Sequence, residues 1–381
     1  MSNSVRLYLD YNATAPLAES VLELSAKGSF FGANPSSLHS SGKSMRKEIA
    51  RVTVYLKSIF HLDHNVVFHS GATEGVNSVV YAYLEKYLFQ DQSFLYLYSS
   101  IDHACVYEQA KRVMHFGQVA QEVQIDSRGH IDLAWLTNYL DKNAAQYKAI
   151  LLNITWVNSE TGIVEDLSRL SILSKFKNLY FHLDAVQSVG KIADWQHPPT
   201  WMNYITYSAH KFGALKSIGF TFYKNNTTTP VLLIGGSQQS SVRAGTENVM
   251  GIVSIELALQ EVCRNFNLTR MQDFQKKFEQ ELSSHKQLEI VGFNSKRAVN
   301  CCALAFKHHN ADFVLAHFDM NGMDVSIGSA CSSDSVKKSR LLMAMGREDI
   351  SRNMIRISFG FNPPTNDEVA KIYQAINQLC V

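Results

Sequence analysis

No apolar run in this 381-residue chain reaches the ~20 residues needed to span a bilayer. Charge of one sign is not in excess either: 36 Lys and Arg face 34 Asp and Glu, a formal +2. That balance excludes a grip on nucleic acid by net charge alone, and recruitment to an anionic membrane by the same means. The six cysteines (Cys105, Cys263, Cys301, Cys302, Cys331 and Cys380) form no CxxC pair, which argues against a zinc ribbon or thioredoxin-like site. Thiols so scattered read as reduced, and a cytoplasmic protein is expected. Met1 to Asp10 have no apolar h-region and no Arg-rich amphipathic stretch, and they read as a strand of the fold rather than a targeting signal. Repeats and low-complexity segments are missing too.

Apolar residues make up 46% of the chain and charged residues 18%, a globular composition with length for more than one domain. Strand-like runs at Val66–Phe68, Phe94–Tyr98, Ile150–Ile154 and Leu179–Leu183 alternate with helix-period stretches near 73–88, 103–115, 132–142 and 166–177. Runs that are apolar on both faces suit a sheet covered on both sides, and the alternation predicts a mainly parallel α/β sheet. Glu247 to about Ser284 is helical by composition and bridges to a smaller α/β unit. The expected division is an N-terminal segment, 1–15, packing with the small domain; a large domain, 16–262; and a small domain, 263–381.

Three clusters carry chemistry. Tyr204–Tyr207 delivers Lys211 within Ser208-Ala209-His210-Lys211. A lysine among apolar and cationic neighbours loses part of its preference for the ammonium form, and its amine can form a Schiff base with an aldehyde. The plain alternative is an exposed lysine in a turn. Asp184 ends the apolar strand Tyr180–Leu183, beyond the carboxyl end of a strand, where α/β folds place ligands. A protonated pyridine nitrogen would satisfy that carboxylate; a cap on a following helix is the alternative. Ser70-Gly71-Ala72-Thr73-Glu74 follows a strand and opens a helix, so the amides around Ala72 and Thr73 suit a phosphate. Thr73 as a simple N-cap is the alternative there. Together the three are the fixed points of a pyridoxal 5'-phosphate site: amine, ring-nitrogen carboxylate and phosphate cup.

Gly328 to Ser339 is small and polar, without strand or helix period, and carries Cys331 near its start. A solvent-reached thiol can ionise, and the thiolate is the nucleophile; Lys337 and Lys338 raise the local potential. Cys105, Cys263 and Cys380 read as small apolar residues on helices. Cys301 and Cys302 are adjacent in a strand-like run and point to opposite faces, so no metal site is expected.

These stretches, in order, resemble the class V, fold-type I pyridoxal phosphate enzymes, and within them the cysteine desulfurases of the NifS and IscS type. The resemblance runs from Tyr8-Leu9-Asp10-Tyr11-Asn12-Ala13-Thr14-Ala15-Pro16 through Asn34-Pro35-Ser36-Ser37-Leu38-His39, the Gly-Ala-Thr-Glu turn, His182 to Lys191 and Ser208 to Lys211. It continues with Val242 to Asn248 and Gly328-Ser329-Ala330-Cys331, and ends at Ile355 to Gly360. It implies a large, mainly parallel domain and a smaller α/β C-terminal domain, acting on L-cysteine as a homodimer. Lys211 would bear the cofactor's Schiff base, Asp184 would pair with the ring nitrogen and Gln187 with the ring hydroxyl oxygen. His103 would lie on the ring face and transfer protons. Ala72, Thr73, Ser208 and His210 would hold the phosphate, with Thr246 reaching it from the other subunit. Asn158 would place the ring oxygen and substrate carboxylate, and Arg356 would bind that carboxylate. Cys331 would take sulfur as a persulfide and pass it to an acceptor protein, an iron–sulfur scaffold or a tRNA-thiolation relay. Alone, His103 reads as a helix cap and Arg356 as half of an ordinary ion pair.

The chain departs from the family pattern after Lys211, where Gly213-Ala214-Leu215-Lys216-Ser217 replaces a Gly-Pro-Lys-Gly turn, and at Asn158-Ser159-Glu160 and Gly235-Gly236-Ser237-Gln238. None of these removes a named group. The rivals are a selenocysteine lyase or aminotransferase on the same cofactor, and a non-catalytic scaffold of the same fold.

Overall fold

Residues whose side chains are apolar on both faces can only be strands between two covering layers, and that is where the chain puts them. The computed structural model describes residues 6–28, 33–328 and 338–380. Its first elements are β1 (Leu7–Tyr8), α1 (Glu19–Lys27), α2 (Ser40–Ile59), β2 (Asn65–His69), α3 (Ala72–Phe89), β3 (Phe94–Ser99), α4 (Ala104–His115) and β4 (Val119–Val123). Then come α5 (Leu133–Asn143), β5 (Ala149–Thr155), α6 (Leu167–Leu170), β6 (Leu179–Asp184), β7 (Tyr204–Ser208) and β8 (Gly219–Tyr223). Helices α7 (Val249–Asn265) and α8 (Leu268–Leu282) lead to β9 (Leu288–Ile290), β10 (Cys301–Phe306), α9 (Ala311–Met320), β11 (Met323–Asp324), β12 (Ser326–Ile327), α10 (Arg340–Ala344), β13 (Met354–Ser358) and α11 (Asn366–Leu379).

The large sheet has seven strands in the order β2-β8-β7-β6-β5-β3-β4. Only β8 runs against its neighbours. Alternation along the central strands splits the core. Leu95, Leu97, Ile150, Leu152, Phe181 and Leu183 join one apolar cluster with α2 and α7. Phe94, Tyr96, Ala149 and Leu151 join another, with Val76, Tyr83 and Val106 of α3 and α4. Every residue of β5 is buried as a result.

A four-stranded antiparallel sheet, β12-β13-β10-β9, carries a separate apolar cluster with α8, α9 and α11. The first described residues belong with it: β1 pairs in parallel with β11, and Leu9 lies in that second cluster. Cys301 and Cys302 do face opposite ways, one into each core.

Three readings need correction. The helical stretch from 247 to 284 is two helices, broken where the Asn267 side chain accepts from Arg270 N and caps α8. The stretch 166–177 holds only the short α6 and a 3-10 turn. Strand β4 gave no apolar signal, being a polar, half-exposed edge, and β8, whose Phe220 and Phe222 follow a glycine, was not among the expected strands. Among the described residues no helix is long and apolar enough to cross a membrane, and no group of three or more His, Cys, Asp or Glu could hold a metal ion.

Candidate active site

The carboxyl ends of β5, β6 and β7 form the floor of the site. Asp184 is the last residue of β6, opposite Thr155 of β5 in register and next to Thr206 of β7. One carboxylate oxygen accepts from Val186 N at 3.0 Å. Turns rather than a helix follow it, so the helix-cap reading fails. Burial pushes the Asp184 carboxyl up from its ordinary range, while the Val186 amide, His103 and Lys211 pull it down. The last two face the carboxylate, so amine, imidazole and acid share one neighbourhood.

Lys211 ends the 3-10 turn Ala209–Lys211 that follows β7. Its Nζ donates to the carbonyl oxygens of Asn12 (2.9 Å) and Ala13 (2.7 Å), so the segment after β1 closes over it. His210 Nδ1 lies 3.1 Å from Thr14 Oγ1, and burial beside Lys211, Lys191 and Lys216 lowers its pKa to about 4, leaving a neutral ring. The unusual turn after Lys211 closes with Ser217 at φ 60°, a left-handed conformation that favours glycine.

Between β2 and α3 the chain makes a cradle. Gly71, at φ 148°, is the N-cap of α3, and no side chain caps that end. Thr73 therefore lies inside the first turn and is not the cap. A Cβ on Gly71 would point at Ser208 Oγ, 3.5 Å away, so the buried Ser208 faces the helix start. Open N–H groups at the start of an 18-residue helix are a ready seat for an anion. Glu74 braces the turn: it accepts from Ser70 N at 2.7 Å and from Arg243 Nε at 2.9 Å. Burial opposes ionisation there, but Arg243 and Ser70 hold the carboxyl at about 2. Arg243 thereby ties the loop carrying Thr246 to α3; Thr246 itself is exposed on the single chain.

The remaining groups stand around this floor. His103 caps α4, its Nδ1 accepting from Cys105 N at 3.2 Å and lying 3.1 Å from Cys105 Sγ. The cap reading is thus correct, and the same ring also faces Asp184. Cys105, read as a mere small apolar residue, belongs to the site: burial raises its thiol pKa, and His103 and Thr73 offset that. Gln187 donates from Nε2 to Asn12 O at 2.8 Å and accepts from the buried amine of Lys191. Asn158 Oδ1 accepts from Glu160 N, Thr161 N and Thr161 Oγ1, and its Nδ2 donates to Ile101 O. Arg356 of β13 is buried, paired with Asp10 and donating to Ser159 O at 2.9 Å; its Nε has no partner among the described residues. The ion-pair reading of Arg356 also holds, with a donor to spare. Cys331 lies outside the described residues. Cys263 is exposed, and Cys380 caps the end of α11 rather than lying within it.

A buried acid with one bond to its own chain, an uncapped helix start beside a serine, and a lysine facing the acid fit a flat ligand with a phosphate at one end and a basic ring nitrogen at the other. Pyridoxal phosphate has those ends. Sequence reasoning missed Cys105, Lys191, Asp10 and the Asn12 and Ala13 carbonyls. All but Cys105 lay in stretches already singled out, and their burial beside the site has no local signal.

The class-V aminotransferase family matches residues 7–372. The chain is 32% identical over 374 residues to a protein named cysteine desulfurase IscS of Dictyoglomus turgidum, covering 95% of this chain and 91% of the relative. It is 30% identical to cysteine desulfurase 2 of Trichormus variabilis, with 97% and 91% covered. A solved NifS-like protein superposes with a TM-score of 0.85 at 25% identity over 98% of this chain and 99% of the other. Another, from Rickettsia africae, gives 0.80 at 26% with the same coverage.

Proposed function

The chain belongs to the class-V aminotransferase family as a pyridoxal-phosphate-dependent cysteine desulfurase, and from that premise we propose how its residues divide the work. The observation that carries the assignment is the meeting of Asp184, Lys211 and His103 at the carboxyl edge of the large sheet. Bound there, pyridoxal phosphate supplies an electron sink for the charge that develops at the substrate α-carbon. Asp184 holds a proton at the ring nitrogen. Gln187, with Nε2 on the Asn12 carbonyl and Oε1 on Lys191, keeps its remaining N–H for the ring oxygen. The amides of Ala72 and Thr73, with Ser208 and neutral His210, seat the phosphate, and Thr246 of a second copy reaches the same anion. Arg356 binds the carboxylate of L-cysteine, with Asn158 beside it. Lys211 removes the α-proton, and His103 moves a proton on the ring face.

Cys331 takes the sulfur. Its thiolate attacks the substrate sulfur, a new S–S bond forms as the substrate Cβ–S bond breaks, and the carbon skeleton leaves as alanine after protonation. The persulfide then passes to an acceptor protein, an iron–sulfur scaffold or a tRNA-thiolation relay, in a cytoplasmic homodimer. We place the domain boundaries at 15/16 and 262/263. The two separate cores and the pairing of β1 with β11 support that division. Incubation of the purified protein with L-cysteine should yield alanine and a one-sulfur mass gain on the Cys331 peptide. Cys331→Ala should abolish both and leave the cofactor absorbance intact. Alanine release undiminished in that variant would sink the role of Cys331.

A further inference from the structure

Beneath the cradle, five buried polar side chains join across the sheet from β5 to β2. His182 Nδ1 lies 2.7 Å from Asn153 Oδ1, and its Nε2 lies 2.8 Å from Thr206 Oγ1. Thr206 Oγ1 is 2.9 Å from Thr221 Oγ1, which is 2.9 Å from His69 Nε2. His69 Nδ1 then accepts from Gly71 N at 3.3 Å. These side chains are all essentially closed to solvent. None of them has a part in the chemistry above.

The sense of the chain is determined at one end. A backbone N–H can only donate, so His69 Nδ1 is the bare nitrogen and Nε2 carries the proton. That proton goes to Thr221, whose hydroxyl donates to Thr206, whose hydroxyl donates to His182 Nε2. His182 must then carry its proton on Nδ1, which donates to Asn153 Oδ1. The two histidines are therefore opposite tautomers. Both rings are neutral: burial lowers the pKa to about 4 at His69 and about 3 at His182. The chain also touches α3 a second time. A Cβ on Gly75 would lie 2.6 Å from His69 Nε2 and 2.8 Å from both Thr206 Cγ2 and Thr221 Oγ1, so the first turn of the helix rests on these side chains.

We propose that the one-way hydrogen-bond chain Gly71–His69–Thr221–Thr206–His182–Asn153 holds the start of α3 in the position that receives the cofactor phosphate, making Thr221 and His69 positioning residues for that anion. The proposal rests on the assignment of the Gly71–Thr73 turn as the phosphate seat. A cradle fixed from below needs no rearrangement when the anion arrives, whereas one broken link leaves a buried donor or acceptor unpaired.

The test strips the full chain of cofactor and titrates it with pyridoxal phosphate and with pyridoxal, which lacks the phosphate. Thr221→Val keeps the shape and removes the hydroxyl; it should weaken pyridoxal phosphate roughly tenfold, leave pyridoxal unchanged, and be rescued by Thr221→Ser. Equal weakening of both ligands, or of neither, would overturn the proposal. Nitrogen-15 spectra of the wild-type protein give a check that needs no variant: His69 should be protonated on Nε2 and His182 on Nδ1. The same tautomer at both would equally overturn it. Failure of the underlying assignment looks different: the double variant Thr73→Ala/Ser208→Ala would keep full preference for pyridoxal phosphate over pyridoxal.

Discussion

The two sides of the site are built in different ways. On the floor, Asp184, Ser208 and Lys211 come at or just after the ends of neighbouring strands of one sheet, and their positions follow from strand register. On the opposite side, groups meet across long stretches of chain. Arg356 pairs with Asp10, Asn300 reaches Asn12, and Ser339 donates to Glu160. Floor groups bond largely to backbone and to buried neutral side chains. The opposite wall relies on charged and amide side chains, and the Nε of Arg356 has no partner among the described residues. Fixed dipoles suit a cofactor that must stay in one place, and exchangeable pairs suit a substrate that must enter and leave.

The sharpest way to break that contrast is at the floor. Among the described residues Lys211→Ala removes the one amine that both follows β7 and faces Asp184, and Lys191 is buried against Gln187. Conversion of cysteine to alanine should fall by about 1000-fold or more. The variant should still bind pyridoxal phosphate through the cradle, without the absorbance of a bound Schiff base. Turnover within tenfold of wild type would mean that another amine serves, and that the floor is less specialised than its geometry suggests.

Most of the floor was legible in the sequence, because its signals are local. An apolar strand ending in an acid, a small-residue turn before a helix and a lysine after a strand are each a few residues long. The polar edge β4 was not legible, since it lacks the apolar run that marks a buried strand, whereas Phe220-Thr221-Phe222-Tyr223 of β8 does carry that signal and was passed over. The break at Asn267 carries no Pro or Gly, although Asn265, Phe266 and Thr269 around it are weak helix formers. On the opposite wall, the pairing of Asp10 with Arg356 joins residues 346 apart and leaves no local trace. The same is true of Cys105, which looks like any small helical residue until the fold sets it beside His103.

The wall offers a smaller effect. Arg356→Lys keeps the charge but loses the planar fork and one of the contacts to Asp10 or Ser159. The KM for L-cysteine should rise about tenfold, with kcat changed much less, because the carboxylate is held equally before and during reaction. A loss confined to kcat would place Arg356 among the floor-type groups and erase the distinction.

Titration of the buried histidines sharpens the contrast by the least amount and does so without touching the chemistry. His182 has its pKa lowered from 6.5 to about 3 by burial, with His69 nearby adding to the shift. As pH falls below 6.5 the unfolded chain binds the proton and the folded chain does not. The stability tied to the neutral ring is therefore complete above that point and is lost as pH drops toward 3, at about 1.4 kcal/mol per pH unit. Asp102 works in the other sense. Burial raises its carboxyl from 3.8 to about 7, so its contribution is full below 3.8 and is lost as pH rises through 7. Wild-type curves mix the two, and His182→Gln separates them. The unfolding free-energy difference between wild type and variant should be constant above pH 7 and shrink by about 1.4 kcal/mol between pH 6 and 5, measured by urea denaturation. A difference that stays flat from 7 to 5 would mean that His182 accepts a proton within the fold. The floor would then be as adaptable as the wall, and the account of the two sides would have to be abandoned.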